Sequence, residues 1–216
     1  RQRQMCIRDS YNADPDWAEK TKAANKYTEA DWNSEFELEF GATGSQIYPS
    51  ALVKQAEKGE YIECGKVRRT YVLGVDPNAG GSDYFVGMMV DITRPPYSVV
   101  HLYRENGRST KYSLQHIKNM CNLFLPERLI VEQQAMGSVI AEIMTEMMPQ
   151  YQIEMFNTTR PAKNIATDRV LYLMEQGFLT FPKGPIGTEL RAFQRLDTGE
   201  RKAAPGFHDD CVMALA

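Results

Sequence analysis

Tyr71-Val72-Leu73-Gly74-Val75-Asp76 is an apolar run that stops at an acid, and Leu129-Ile130-Val131-Glu132 repeats the pattern. Short apolar runs bounded by turn residues predict buried strands, here each delivering a carboxylate to the edge of a sheet. A further acidic pair, Asp209-Asp210, precedes the apolar segment Val212-Met213-Ala214-Leu215-Ala216. A carboxylate buried without a partner costs several kcal/mol, so acids converging at the ends of core elements point to a shared cation.

Working outward from Asp76, three strands are expected at Thr70–Val75, Tyr84–Ile92 and Tyr97–Glu105. They are separated by the turn-rich Pro77-Asn78-Ala79-Gly80-Gly81-Ser82 and by Arg94-Pro95-Pro96. Short connections make them an antiparallel meander. Then follow a helix over 112–124, a strand over 128–132, a helix from Gly137 to Met148, and a strand near 152–155. Helices over 161–176 and 186–196 and a terminal helix complete the pattern. This order predicts an α/β, RNase H-like mixed sheet, three antiparallel strands then parallel strands, with helices on both faces. Strands one and four would lie side by side, so Asp76 and Glu132 could meet, and a helix across that edge would add Asp209 or Asp210. Two Mg2+ or Mn2+ ions held there would suit in-line phosphodiester hydrolysis without a histidine base.

Upstream, Asp14-Pro15 and the Thr28/Asp31 pair open helices expected over 15–27 and 29–39, and another is expected from Ser50 to Lys58, ending at Gly59. The expected organisation is a non-native or disordered flank over 1–14, a helical lead-in or linker over 15–66, and a nuclease domain over 67–216. Arg1 to Ser10 lacks an initiator Met and usable periodicity, and the last helix stops after about two turns. The sequence is therefore expected to be a C-terminally truncated fragment.

Of the 216 residues, 43% are hydrophobic and 25% charged, enough for one sizeable domain and too apolar for disorder. No apolar run approaches the roughly 20 residues of a membrane helix, so a soluble intracellular protein is expected. Cys6, Cys64, Cys121 and Cys211 are isolated in sequence, which indicates neither a zinc site nor a disulfide framework. The net charge of -3 gives no global basic footprint, so any affinity for nucleic acid is local. Arg160, Lys163, Arg191 and Arg195 are the candidate phosphate contacts, although each alone reads more readily as an ordinary surface charge.

Each acid also has a plainer explanation. Asp76 before Pro77 suits the start of a turn, Glu132 suits a solvated cap for the next helix, and acids are favoured at helix N-termini such as that following Asp209-Asp210. Two consecutive acids exceed what capping needs, but the sequence does not separate Asp209 from Asp210. Asp83 is a secondary acid, either facing the cleft or solvated. His208 reads as an orienting or capping residue, because a hard cation prefers oxygen.

The sequence resembles the C-terminal nuclease domain of the large terminase subunit of tailed bacteriophages. The likeness is carried by Trp32-Asn33-Ser34-Glu35-Phe36 leading to Phe40, Gly74-Val75-Asp76 with Asp83-Tyr84, and Ile130-Val131-Glu132. It continues in Lys163, Glu175-Gln176-Gly177, Glu189-Leu190 with Phe193, and Gly206-Phe207-His208-Asp209-Asp210. The resemblance implies that Asp76, Glu132 and one or both of Asp209 and Asp210 are catalytic metal ligands of an endonuclease cutting concatemeric viral DNA during packaging. It also implies double-stranded DNA, a portal protein and a small terminase subunit as partners, and action in the host cytoplasm, transiently at the procapsid portal. An upstream ATPase domain is implied too, yet no Gly-x4-Gly-Lys-Ser/Thr phosphate loop occurs here. Two other expectations compete: a resolvase- or transposase-type nuclease sharing the acids, and a non-catalytic portal-binding module.

Overall fold

A computed structural model describes Lys20 and residues 46–77, 83–133 and 137–216. The chain divides into two compact units, Arg1–Gln46 and Ile47–Ala216, and the fold described is that of the second. The helices expected over 15–27 and 29–39 lie outside the described residues. The compact unit starts at Ile47, upstream of residue 67: Tyr48 and Val53 of the expected lead-in are fully buried in its core.

The described elements begin with α1 (Ser50–Ala56), β1 (Tyr71–Asp76), β2 (Phe85–Asp91), β3 (Tyr97–Glu105), α2 (Thr110–Phe124) and β4 (Arg128–Glu132). Next come α3 (Gly137–Met147), β5 (Ile153–Phe156), α4 (Arg160–Glu175), β6 (Leu179–Thr180) and α5 (Pro185–Ala192). The hairpin strands β7 (Phe193–Arg195) and β8 (Arg201–Ala203) and the helix α6 (Asp210–Leu215) complete the order. The main sheet runs β5-β4-β1-β2-β3-β6. The β1-β2-β3 pairs are antiparallel, while β4 joins β1, β5 joins β4 and β6 joins β3 in parallel. The expected RNase H-like mixed sheet is thus the fold, with β1 and β4 adjacent.

Side-chain alternation splits the core in two. Tyr71, Leu73 and Val75 of β1 and Leu129 and Val131 of β4 fill the face under α2 and α3, against Ile117, Phe124, Ile140 and Met144. The other face packs Val86 and Met88 against α1, α4, α5 and α6. On α2 the buried residues Leu114, Ile117, Cys121 and Phe124 recur at helical spacing, and the Ser109 side chain caps its first turn by accepting from the Tyr112 N–H. The helix ends on Leu125, exposed and left-handed at φ 52°. A β-carbon is strained in that conformation, so Leu125→Gly is expected to stabilise the protein by about 1 kcal/mol. Thermal melts should show a gain of about 2–4 °C; a lower melting temperature would mean that the leucine side chain contributes more than its backbone costs.

Two parts depart from expectation. The helix predicted over 186–196 ends at Ala192, and residues 193–195 form a strand paired with 201–203 through a turn at Gly199, φ 77°. Phe193 continues the buried spacing of Ile186 and Leu190, so helical periodicity carried the prediction too far; its carbonyl instead accepts from the Ile47 N–H. Strand β6 was not foreseen either, because two residues are too few to show a period.

Candidate active site at the β1-β4 edge

Because Val75 pairs with Val131, the next residues, Asp76 and Glu132, leave neighbouring strands side by side. Their partners in alternation fill the α2/α3 face, so both acids project to the opposite face, where α6 lies. Helix α6 sits directly on β1: a β-carbon added to Gly74 would overlap the Ala214 carbonyl oxygen. That close approach brings the acids at the start of α6 to the end of β1.

Asp76 keeps some surface open to solvent, yet protein atoms crowd its carboxyl, and its side chain hydrogen-bonds Glu132, itself buried. Burial pushes the Asp76 carboxyl far above the usual carboxylate range, and the charges of Glu132, Asp210 and Asp209 push in the same direction.

Asp209 and Asp210 face different partners. The Asp209 carboxylate pairs with the Lys163 ammonium at 2.9 Å. Asp210 is buried; its Oδ2 accepts from the Tyr84 N–H at 3.1 Å and lies 3.7 Å from His208 Nδ1. Burial pushes the Asp210 carboxyl up to about 6, opposed by the Tyr84 hydrogen bond. Asp83 is largely exposed, with its Oδ1 3.6 Å from His208 Nδ1, and the His208 ring meets Tyr84 edge-on. Among the described residues, no three His, Cys, Asp or Glu side chains stand close enough together to enclose an ion.

The expected phosphate contacts separate. Arg160 is exposed, with its guanidinium on the Thr198 carbonyl, and Arg195 is exposed on β7. Lys163 is committed to Asp209, and Arg191 to the buried Glu57 at 2.6 Å. Arg201, next to Arg195 across the hairpin, is buried and paired with Asp168 at 2.8 Å. The basic residues of the C-terminal part therefore do not form one continuous cationic surface. Sequence reasoning assigned no role to Tyr84, Arg104 or Glu189, all of which surround the acid pair's helix. For Glu189 a signal existed: it sits on the same helix face as the buried Ile186, Leu190 and Phe193, where a lone charge demands a partner.

Residues 73–216 match the family model described as the terminase RNase H-like domain. The chain belongs to that family. The terminase fold is shared with the large terminase nuclease from the thermophilic phage G20c, at a TM-score of 0.68 and 20% identity, covering 79% of this chain and 95% of that one. Thermus phage P74-26 provides another nuclease domain of the same fold, at a TM-score of 0.63 and 20% identity, covering 79% of this chain and 92% of that one. Against the large terminase of bacteriophage HK97, the TM-score is 0.62 at 11% identity; 94% of this chain aligns with 49% of that one. The G20c nuclease has been solved with bound magnesium, cobalt and zinc. A search of curated protein sequences yields no match. Family membership makes this an RNase H-like domain of the terminases. Among its described residues no helix is long and apolar enough to cross a membrane.

Proposed function

We propose that this terminase domain is a divalent-metal-dependent DNA endonuclease that cuts concatemeric viral DNA during packaging. The observation that carries the reading is the placement of Asp76 and Glu132 side by side at the ends of β1 and β4 beneath α6, with Asp209 and Asp210 at the start of that helix. An all-oxygen carboxylate set suits a hard cation, whose positive charge would offset the negative charge gathered there. The metal-bound G20c relatives support divalent binding. Asp76, Glu132 and Asp210 are assigned as the ligands, with two Mg2+ or Mn2+ ions; when bound, such ions activate the attacking water and stabilise the leaving 3′ oxygen. Asp209 holds Lys163 beside the site, while the exposed Arg160 and Arg195 meet DNA phosphates. Arg191, committed to Glu57, is left out of that set. Asp83, on the solvent side of His208, is a secondary acid.

The remaining partners are assigned by the family: double-stranded DNA as substrate, a portal protein, a small terminase subunit and an ATPase domain upstream, acting in the host cytoplasm. Plasmid nicking by the purified chain with Mg2+ or Mn2+ tests the activity. Nicking should disappear in Glu132→Ala and fall on the order of a hundredfold or more in Asp210→Asn, but less than tenfold in Asp209→Asn, which removes a partner of Lys163 rather than a ligand. Metal-dependent nicking that survives Glu132→Ala would overturn the assignment. A strong preference for four-way junctions over linear duplex would favour the resolvase-type alternative.

A further inference from the structure

Glu189 is buried in α5, where no substrate or cation reaches it directly, and every oxygen of its carboxylate is committed. Its Oε1 accepts from Arg104 Nε at 3.0 Å and Nη2 at 2.7 Å, and its Oε2 accepts from the Cys211 N–H at 2.7 Å. Cys211 immediately follows Asp210, so this last bond fixes the backbone from which the Asp210 side chain departs. Arg104, held by the same carboxylate, lies over the Tyr84 ring at 3.3 Å, and the Tyr84 N–H binds Asp210 Oδ2. Glu189 therefore reaches Asp210 by two routes, through the α6 backbone and through Arg104 and Tyr84, and ties together α5, β3, the chain before β2, and α6.

A bond network of this kind exceeds what packing requires. An apolar pair of similar volume would fill the space between β3 and α5 at no desolvation cost, whereas a buried ion pair contributes little net stability. What the charged pair adds is direction: two guanidinium N–H groups on one carboxylate oxygen and a backbone amide on the other. We propose that Glu189 is a positioning residue for metal binding at the acid cluster, holding Asp210 toward Asp76 through the Cys211 amide and the Arg104–Tyr84 stack. The proposal rests on the metal-site reading given above, and it assigns to Glu189 an outer role that orients a ligand without touching the ion.

The test uses the full chain and Mn2+ alone as probe, with bound ion measured from the loss of the free-ion electron paramagnetic resonance signal. The double variant Arg104→Met/Glu189→Met exchanges the ion pair for apolar side chains and leaves the α6 amide without its acceptor. It should melt close to the wild-type temperature yet bind Mn2+ at least tenfold more weakly, with kcat for plasmid nicking reduced and KM for DNA unchanged. Glu189→Gln, which keeps an acceptor for the Cys211 amide, should fall between the two. Glu57→Gln breaks a comparably buried pair away from the acids and should lower the melting temperature while leaving Mn2+ affinity unchanged. Wild-type Mn2+ affinity in the folded double variant, or in Glu189→Gln should the double variant not fold, overturns the positioning role. Wild-type protein that binds no Mn2+ overturns the metal reading itself and this inference with it.

Discussion

Asp76→Asn is expected to lower metal-dependent nicking by about a thousandfold or more while making the metal-free protein more stable. The loss follows from removing one charged ligand, a contribution of several kcal/mol at about 1.4 kcal/mol per tenfold in rate. The gain follows from the burial that raises the Asp76 carboxyl. An acid whose folded pKa lies above its unfolded value near 4 binds more protons folded than unfolded across the window between them. The contribution of Asp76 to stability is therefore fully present only below about pH 4 and is lost as pH rises toward its raised folded value. For one group the slope is at most about 1.4 kcal/mol per pH unit, reduced here by the solvent that reaches the rim of the site. Thermal melts in EDTA should show the variant's advantage growing from pH 5 to pH 8, and Mg2+ should shrink it by stabilising only the wild type. Parallel pH profiles for the two proteins would refute the raised Asp76 carboxyl, whatever their activities.

Gly74→Ala is expected to destabilise the domain by about 3 kcal/mol, at the upper end of overpacking costs, and to lower nicking on the order of a hundredfold. The added β-carbon would meet the Ala214 carbonyl, which belongs to the backbone of α6 and cannot rotate aside. The helix must lift from β1, carrying Asp210 away from Asp76. Gly87→Ala provides the contrast, because there the β-carbon would meet the end of the Ile117 side chain on the opposite face, which can shift. Its cost should be nearer 1 kcal/mol, with nicking retained. Calorimetric melts should place Gly74→Ala about 6–12 °C below wild type. Equal effects of the two substitutions on nicking would mean that α6 does not need its close seat on β1.

These predictions depend on different amounts of tertiary information. Strands β1 to β4 were legible because their apolar runs are long and bounded by Pro, Gly and charged turns, and the boundaries found differ from those expected by only a residue or so. The hairpin β7-β8 was not legible, since Arg195, Arg201 and Lys202 give its short strands no hydrophobic alternation. Arg191 shows the same limit at the level of a side chain. In sequence it is one of several cations near the C-terminus; in the fold it is paired with Glu57, 134 positions away.

By itself the sequence determined the order of the elements and the identity of the acids, because burial of apolar runs and the two-residue alternation of a strand are local consequences of residue type. Only the tertiary structure shows that Asp209 and Asp210 face different partners. Adjacent residues at the start of a helix point in different directions, and it is the seating of α6 on Gly74 that turns Asp210 inward to the Tyr84 amide and leaves Asp209 facing Lys163. It likewise decided that Glu189 binds the α6 backbone, because a hydrogen bond between residues on two helices depends on how those helices pack rather than on either sequence alone.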